Sequence, residues 1–302
     1  MLHLTLRQLQ VFNVVATKLN FSSAAKLLYL SQPAVSMQIK QLEDNIGLPL
    51  FEQMGKKIFL TEAGIELHHY SRSIAQQLSE MEVVFSEMKG LDQGKLSLSV
   101  VNTANYFTPQ LLAKFCQRHP HINVILQVAN RDAVLKQLAD NTTDLAIMGQ
   151  TPDDADISAE SFLDNPLVVI AATNHPLAKL KRVKFAQLAD ETFLSREVGS
   201  GTRSAMERVF AQHKIQPRIS MEMETNEAIK QAVQAGMGLG ILSLHSIELE
   251  LETKRLAMLN VEHFPLLRHW FVAHRSSKRL SIAALAFKEF LLTEADAILS
   301  SK

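Results

Sequence analysis

Five residues at helical spacing, Gln32, Pro33, Ser36, Met37 and Lys40, form the first group able to do chemistry on a partner. A glutamine amide bonds adenine bidentately, a serine hydroxyl serves several acceptors, and the Pro33 ring and Met37 methyl suit a thymine methyl in a major groove. Lys40, with Lys56 and Lys57 further on, would neutralise phosphates, which gives affinity without sequence choice. A second group lies far downstream. Gly199-Ser200-Gly201-Thr202 precedes a predicted helix, so its backbone amides, the Thr202 hydroxyl and the helix dipole could hold an anion, phosphate or carboxylate alike. Arg203 adds a cation, Asn102-Thr103 ends a predicted strand, and Asn226 starts another helix. Each feature also has a plainer reading: a polar helix face that is only solvated, an ordinary strand-to-helix turn, a surface salt bridge at Arg203.

Catalytic signatures are missing from the sequence. It has no Gly-x-Ser-x-Gly, Walker loop, Cys-x-x-Cys or His-Glu-x-x-His. His68-His69, His119, His121 and Asp153-Asp154-Asp156 are scattered and read as surface or packing residues, with no metal set among them. Cys116 falls inside a predicted helix as a small packing residue. The expectation is a binding protein, not an enzyme.

The elements that must position the first group read as short helices and a hairpin. Leu6, Leu9, Phe12 and Val15 make one apolar stripe that closes near Asn20. Ser22 or Ser23 can cap a second helix, and Ser31 or Gln32 a third, with Pro33 in its first turn and Gly47 at its end. In that third helix Val35, Ile39, Leu42 and Ile46 share the buried face, which turns Gln32, Ser36, Met37 and Lys40 outward. The runs 51–54 and 58–60 flank Gly55-Lys56-Lys57 as a two-stranded wing with a basic tip. A helix from Thr61-Glu62-Ala63-Gly64 to about residue 89 would be about 42 Å long at 1.5 Å per residue. Leu67, Ile74, Met81 and Met88 repeat every seven along it, with Leu78 and Phe85 between them and Ser71 breaking the second series. Such a seam asks for a partner helix, most simply from a second copy of the chain, unless the stripe packs on the protein's own core.

After the linker Gly90-Leu91-Asp92-Gln93-Gly94 the texture changes. Strands at 95–101, 122–128 and 144–148 alternate with helices at 109–119 and 132–139. A second cycle has strands at 167–171, 193–194, 219–223 and 239–242 and helices at 202–213 and 227–235, before a strand at 269–273 and a helix at 281–293. This alternation predicts parallel strands with crossover helices, in two α/β halves around a cleft.

Composition bounds the class. The chain has 302 residues, 47% of them hydrophobic and 21% charged, long enough for two or three compact units. Its 31 basic and 31 acidic residues cancel, but residues 1–60 carry a net +3 and residues 152–165 five acids with no base. One cysteine excludes an internal disulfide and fits a reducing compartment. The first residues lack a secretory pattern, and the long uncharged run 231–247 is too polar to span a bilayer. A cytoplasmic protein with no membrane partner is expected.

Phe21-Ser22-Ser23-Ala24-Ala25, Leu30-Ser31-Gln32-Pro33-Ala34-Val35-Ser36, Leu42-Glu43, Gly47, Leu50-Phe51 and Leu60-Thr61-Glu62-Ala63-Gly64 resemble the amino-terminal signature of LysR-type transcriptional regulators. The resemblance implies a multidomain protein. An all-α winged helix-turn-helix and a long linker helix come first, then a two-lobed α/β, periplasmic-binding-protein-like effector domain, usually assembled as a tetramer. It places DNA contacts at Ser23, Gln32, Pro33, Ser36, Met37, Lys40, Lys56 and Lys57. Met37 stands where many members carry Arg, so thymine-methyl packing replaces a guanine contact there. Later segments, among them Tyr106-Phe107-Thr108-Pro109, Gly199-Ser200-Gly201-Thr202-Arg203 and Asn226-Glu227-Ala228-Ile229-Lys230, are similar to the activators of Calvin-cycle (RuBisCO) operons, the CbbR or RbcR group.

That similarity implies promoter DNA, a second copy of the chain, RNA polymerase and a small-molecule effector, a phosphorylated metabolite or NADPH, as partners, with no resident cofactor. It turns Asn102, Thr103, Ser200, Gly201, Thr202, Arg203 and Asn226 toward the effector. The expected domains are 1–61, 62–90 and 91–302, the last with one lobe at about 95–163 and 268–302 and the other at about 164–267. Two alternatives stay open: a LysR-type regulator of another pathway, and a small-molecule-binding α/β protein with an accessory helical domain.

Overall fold

The computed structural model describes residues 4–55, 57–88, 94–151 and 156–300. Two compact units divide the chain, Met1–Phe85 and Ser86–Lys302.

In the first unit the chain turns where its own side chains supply the missing amide partners. Thr5 caps helix α1 (Leu6–Lys18) reciprocally: Gln8 N donates to Thr5 Oγ1 at 3.2 Å and Thr5 N to Gln8 Oε1 at 3.0 Å. Asn20, not Ser22 or Ser23, caps α2 (Phe21–Leu28), its Oδ1 accepting from Ser23 N at 2.8 Å. The two serines already lie inside the first turn, past the position from which a side chain reaches back to a free amide. Ser31 caps α3 (Gln32–Ile46), Pro33 sits in its first turn, and Gly47 ends it at φ +80°. Phe12, Val15, Ala25, Val35, Ile39, Leu42 and Leu50 close one core among the three helices. Leu6, expected in the buried stripe, is half exposed.

Two strands, β1 (Phe51–Met54) and β2 (Lys57–Leu60), pair antiparallel from Phe51↔Leu60 to Met54↔Lys57. Glu43 Oε1 of α3 accepts from Leu50 N at 2.8 Å and Phe51 N at 3.3 Å, so the reading helix itself fixes where the hairpin starts. Thr61 Oγ1 donates to Pro49 O at 2.7 Å and accepts from Gly64 N at 3.0 Å, opening α4 (Glu62–Met88). Gly64 lies so close to the Leu50 carbonyl that a Cβ would fall 2.1 Å from its oxygen. The expected seam along α4 splits in two. Leu67 packs on the three-helix core and Ser71, 1% exposed, donates to Asn13 Oδ1, whereas Ile74, Met81 and Phe85 lie open.

The second unit holds two five-stranded sheets. The first lobe comprises β3 (Gly94–Val101), α5 (Thr108–Arg118), β4 (Ile122–Ala129), α6 (Arg131–Ala139), β5 (Leu145–Met148) and β6 (Ile157–Asp164). The chain then crosses to β7 (Leu167–Ala172), β8 (Thr192–Arg196), α7 (Gly201–Gln212), β9 (Arg218–Met223), α8 (Asn226–Gln234), β10 (Leu239–Ser243), α9 (Glu248–Glu252) and β11 (Leu256–Leu259). It returns through β12 (His269–Arg275) and α10 (Ile282–Ser300). Strand order is β4-β3-β5-β12-β6 in one sheet and β11-β7-β10-β8-β9 in the other.

The sheets are mixed, not parallel throughout as expected. β3 runs parallel to β4 and β5, and β8 to β9 and β10, but β12 is antiparallel to β5 and β6 and β7 to β10 and β11. β7 and β12 enter from the other lobe without a crossover helix, so nothing imposes the parallel direction on them. The two crossings pair with each other: Asn165 N donates to Arg268 O at 2.7 Å and Leu167 N to Leu266 O at 3.0 Å. No helix among the described residues is long and apolar enough to cross a membrane.

The Gly64 contact yields a stability prediction. Gly64→Ala should destabilise the first unit by about 1–3 kcal/mol, because the intruding methyl meets backbone and not a movable side chain. Melting followed by circular dichroism should show the loss; an unshifted transition would contradict the close approach.

Candidate functional site

The outer face of α3 follows from its inner one. Val35, Ile39 and Leu42 are fixed in the core, which leaves Gln32, Pro33, Met37 and Lys40 exposed and Ser36 half-buried along one side. Gln32 Nε2 donates to Ser36 Oγ at 2.9 Å, an i,i+4 bond that aims the amide before any partner arrives. Met37 is 55% exposed, an apolar end within this polar strip. Ser23 is exposed on α2 and Lys57 on β2; Lys56 lies outside the described residues. Every donor, acceptor and cation here stands on a short element pinned by a cap or by Glu43.

The other group converges on a cavity between the two sheets, with about 430 Å³ of empty space counted out to its mouth. Asn102, Thr103, Ser200, Gly201 and Thr202 line it, with Arg131, Gln150, Asn165, Arg196 and Arg268. Two helices point their N-termini at it, α6 from one lobe and α7 from the other. Ser200, the N-cap residue of α7, makes no side-chain cap bond, so that terminus keeps its donor potential.

Charge decides what the cavity accepts. Arg196, 4% exposed, is neutralised by Glu197 through bonds of 2.7 and 2.8 Å. Arg131 donates to Gln150 O at 3.3 Å and has its nearest carboxylate, Asp132, 3.8 Å away. Arg268 donates to Gly201 O at 2.9 Å, Gly149 O at 2.7 Å and Gln150 Oε1 at 3.1 Å, and meets no carboxylate among the described residues. Burial, with the neighbouring cations Arg208 and Arg131, pulls its guanidinium down to about 10, so at neutral pH it remains charged and under-compensated. Asn165 Oδ1, buried on the cavity wall, has no hydrogen-bond partner among the described residues. Two helix N-termini, the unpaired Arg268 and Arg131, whose carboxylate partner Asp132 stands 3.8 Å off, can together hold an anion.

Two expected effector residues sit elsewhere. Arg203 turns from the cavity wall to bond Glu207 Oε1 at 2.8 Å, together with Glu222 and Arg196 O, as a salt-bridge cation of its own lobe. Asn226, 2% exposed, lies behind the wall: it accepts from Arg196 Nη1 and its Nδ2 donates to Thr103 Oγ1 across the lobes at 3.1 Å. Arg131 and Arg268 take the place that spacing assigned to Arg203. Asn130-Arg131 opens a helix after a strand, the same pattern that marked Ser200-Gly201, and so was legible. Arg268 carries no local signal.

The comparisons bear on both groups. Residues 6–65 match the family described as bacterial regulatory helix-turn-helix protein, lysR family, and residues 89–296 match the LysR substrate binding domain. The chain is 53% identical over 294 residues, 97% of each chain, to the RuBisCO operon transcriptional regulator of Allochromatium vinosum. The regulatory domain of CcmR from Synechocystis PCC6803, solved in complex with 2-PG, is 42% identical with a TM-score of 0.64, covering 66% of this chain and 96% of that one. Full-length CbnR with its target DNA, 23% identical, matches in fold at a TM-score of 0.69 over 95% of this chain and 99% of that one. A helix-turn-helix unit followed by a two-lobed α/β substrate-binding domain is thus the shared architecture.

With inorganic phosphate as the probe, Arg268→Ala should lose the ligand-induced rise in melting temperature, whereas Arg203→Ala should keep it. The reverse pattern in a thermal-shift titration would relocate the anion site.

Proposed function

Since the chain belongs to the LysR family of DNA-binding transcriptional regulators, we propose that it is an effector-responsive activator of CO2-fixation (RuBisCO, Calvin-cycle) genes. The observation that carries this reading is the 53% identity to a RuBisCO operon regulator, spread over 97% of both chains. Its DNA-reading residues are Gln32, Pro33, Ser36 and Met37, with Ser23, Lys40, Lys56 and Lys57 on phosphates. Promoter DNA, a second copy of the chain through the open half of the α4 seam, and RNA polymerase are its partners, and the assembly is a tetramer of paired dimers. No catalytic step is part of this function.

The effector is a small phosphorylated acid held at Ser200, Gly201, Thr202, Arg131 and Arg268, with Asn102 and Thr103 on the opposite wall. The complex of the CcmR regulatory domain with 2-PG supports the class. The two lobes then form a periplasmic-binding-protein-like clamp. Binding shifts the balance between lobe arrangements by the ligand's differential affinity for them, which respaces the paired recognition helices and changes the bend of the promoter.

Gln32→Ala should relax discrimination at one base pair, costing roughly 1–3 kcal/mol there and little elsewhere in a set of single-base operator variants. Lys57→Ala should weaken binding to all of them alike and lower the salt slope by about one unit. Equal losses across all variants for Gln32→Ala, or a single-position loss for Lys57→Ala, would reverse the assignments. Footprinting upstream of carboxylase genes, with and without 2-phosphoglycolate, tests the regulon: no protected promoter there assigns the protein to another pathway.

A further inference from the structure

Beside the cavity, one of the places where the two lobes touch is a short segment. The 3-10 turn Asn102–Tyr106, which follows β3, places Thr103 and Tyr106 three residues apart and therefore on one face. Opposite it, α8 presents Asn226 and Lys230, four residues apart and likewise on one face. The faces meet residue for residue: Asn226 Nδ2 donates to Thr103 Oγ1 at 3.1 Å, and the Lys230 ammonium sits 4.8 Å from the centre of the Tyr106 ring. Phe107 continues the contact against His245, with ring centres 5.5 Å apart.

Lys230 is 4% exposed and already neutralised inside its own lobe, by Glu227 and Glu250, each at 2.8 Å. It does not need Tyr106 for charge balance. The ring adds a modest attraction that one lobe can make or release without stranding a buried charge, as a reversible catch requires. Asn102 and Thr103, at the start of the same turn, line the cavity. What a ligand does to them is passed along three residues to Tyr106.

We propose that Tyr106 and Lys230 are positioning residues for the effector response: a catch between the lobes, one turn from the cavity, that holds the sheets in the ligand-binding arrangement. In this arrangement the lobes stand close across the cavity, where a Cβ on Gly201 of one lobe would lie 3.9 Å from Arg131 Cδ of the other. The proposal rests on the anion site at Arg268 and extends it to a contact off the cavity lining.

The test uses the full chain, with 2-phosphoglycolate as the probe and two readouts: the half-saturating concentration in thermal shift, and the change in promoter affinity on adding ligand. Tyr106→Phe keeps the ring over the ammonium and should stay within twofold of the parent protein. Tyr106→Leu should raise the half-saturating concentration roughly three- to tenfold, the range for a ring–cation contact, and blunt the promoter response. Tyr106 is 39% exposed, so both variants should melt near the parent when unliganded, which separates loss of the catch from loss of fold. A Tyr106→Leu protein that binds and responds like the parent while Arg268→Ala fails would overturn the catch and leave the anion site standing. Equal damage from Phe and Leu would also overturn it, by moving the effect to the hydroxyl. Normal ligand binding by Arg268→Ala would overturn the cavity reading, and the catch with it.

Discussion

A half-buried guanidinium between two sheets, with no carboxylate partner among the described residues, is the constraint around which the second unit is organised. Taking Arg268 out of water costs several kcal/mol unless acceptors replace the lost hydration. Gly149 O, Gly201 O and Gln150 Oε1 supply hydrogen bonds but no negative charge. The N-termini of α6 and α7 make the surroundings still more positive, and Arg131 adds a like charge. Each feature alone is ordinary; together they make the wall favourable to an anion, in keeping with the proposed effector class. Because Arg268 sits on the second crossing between the lobes and bonds residues of both, the group that wants the anion is also the group that ties the lobes.

Inside the second unit the cavity wall is tied firmly to its neighbours. Arg196 and Asn226 connect the cavity wall to α8 through bonds that are nearly fully buried, so a shift at the wall moves a helix and not only a side chain. The two crossings at Asn165–Leu167 and Leu266–Arg268 are joined by backbone bonds, so they run between the sheets as one paired strap. Coupling between sites is typically worth about 1–3 kcal/mol, a range that a few such contacts can supply.

The first unit was almost fully legible from sequence because its information is local. Ser31, Pro33 and Gly47 write the ends of α3, and the Val35, Ile39, Leu42 series writes its buried face. The cap of α2 was misplaced by a short step because Asn20, Ser22 and Ser23 are all good caps, and only the chain's entry angle selects Asn20. The second unit was legible in its alternation but not in its closure. β6, with Glu160 and Ser161 inside it, shows no continuous apolar run, and β11 is only four residues long. The antiparallel returns at β7 and β12 depend on which lobe the chain comes from, which no window of sequence contains. Arg203 was favoured over Arg268 for the same reason: nearness along the chain is visible in sequence, and nearness across a fold is not.

Specificity at the other end has a comparable logic. Gln32 already spends a donor on Ser36, so pairing with a base exchanges one hydrogen bond for others and gains little net energy from the correct partner. Discrimination then comes mainly from the wrong base, which would leave the amide or the base edge unpaired in a closed interface at a cost of about 1–3 kcal/mol. Met37 sharpens this, since an apolar end accepts a thymine methyl and offers nothing to a guanine edge. If these residues read DNA as proposed, such a face would bind any duplex weakly through its lysines and reject most of them. A twofold copy across the open α4 seam would double the rejection and not merely the affinity.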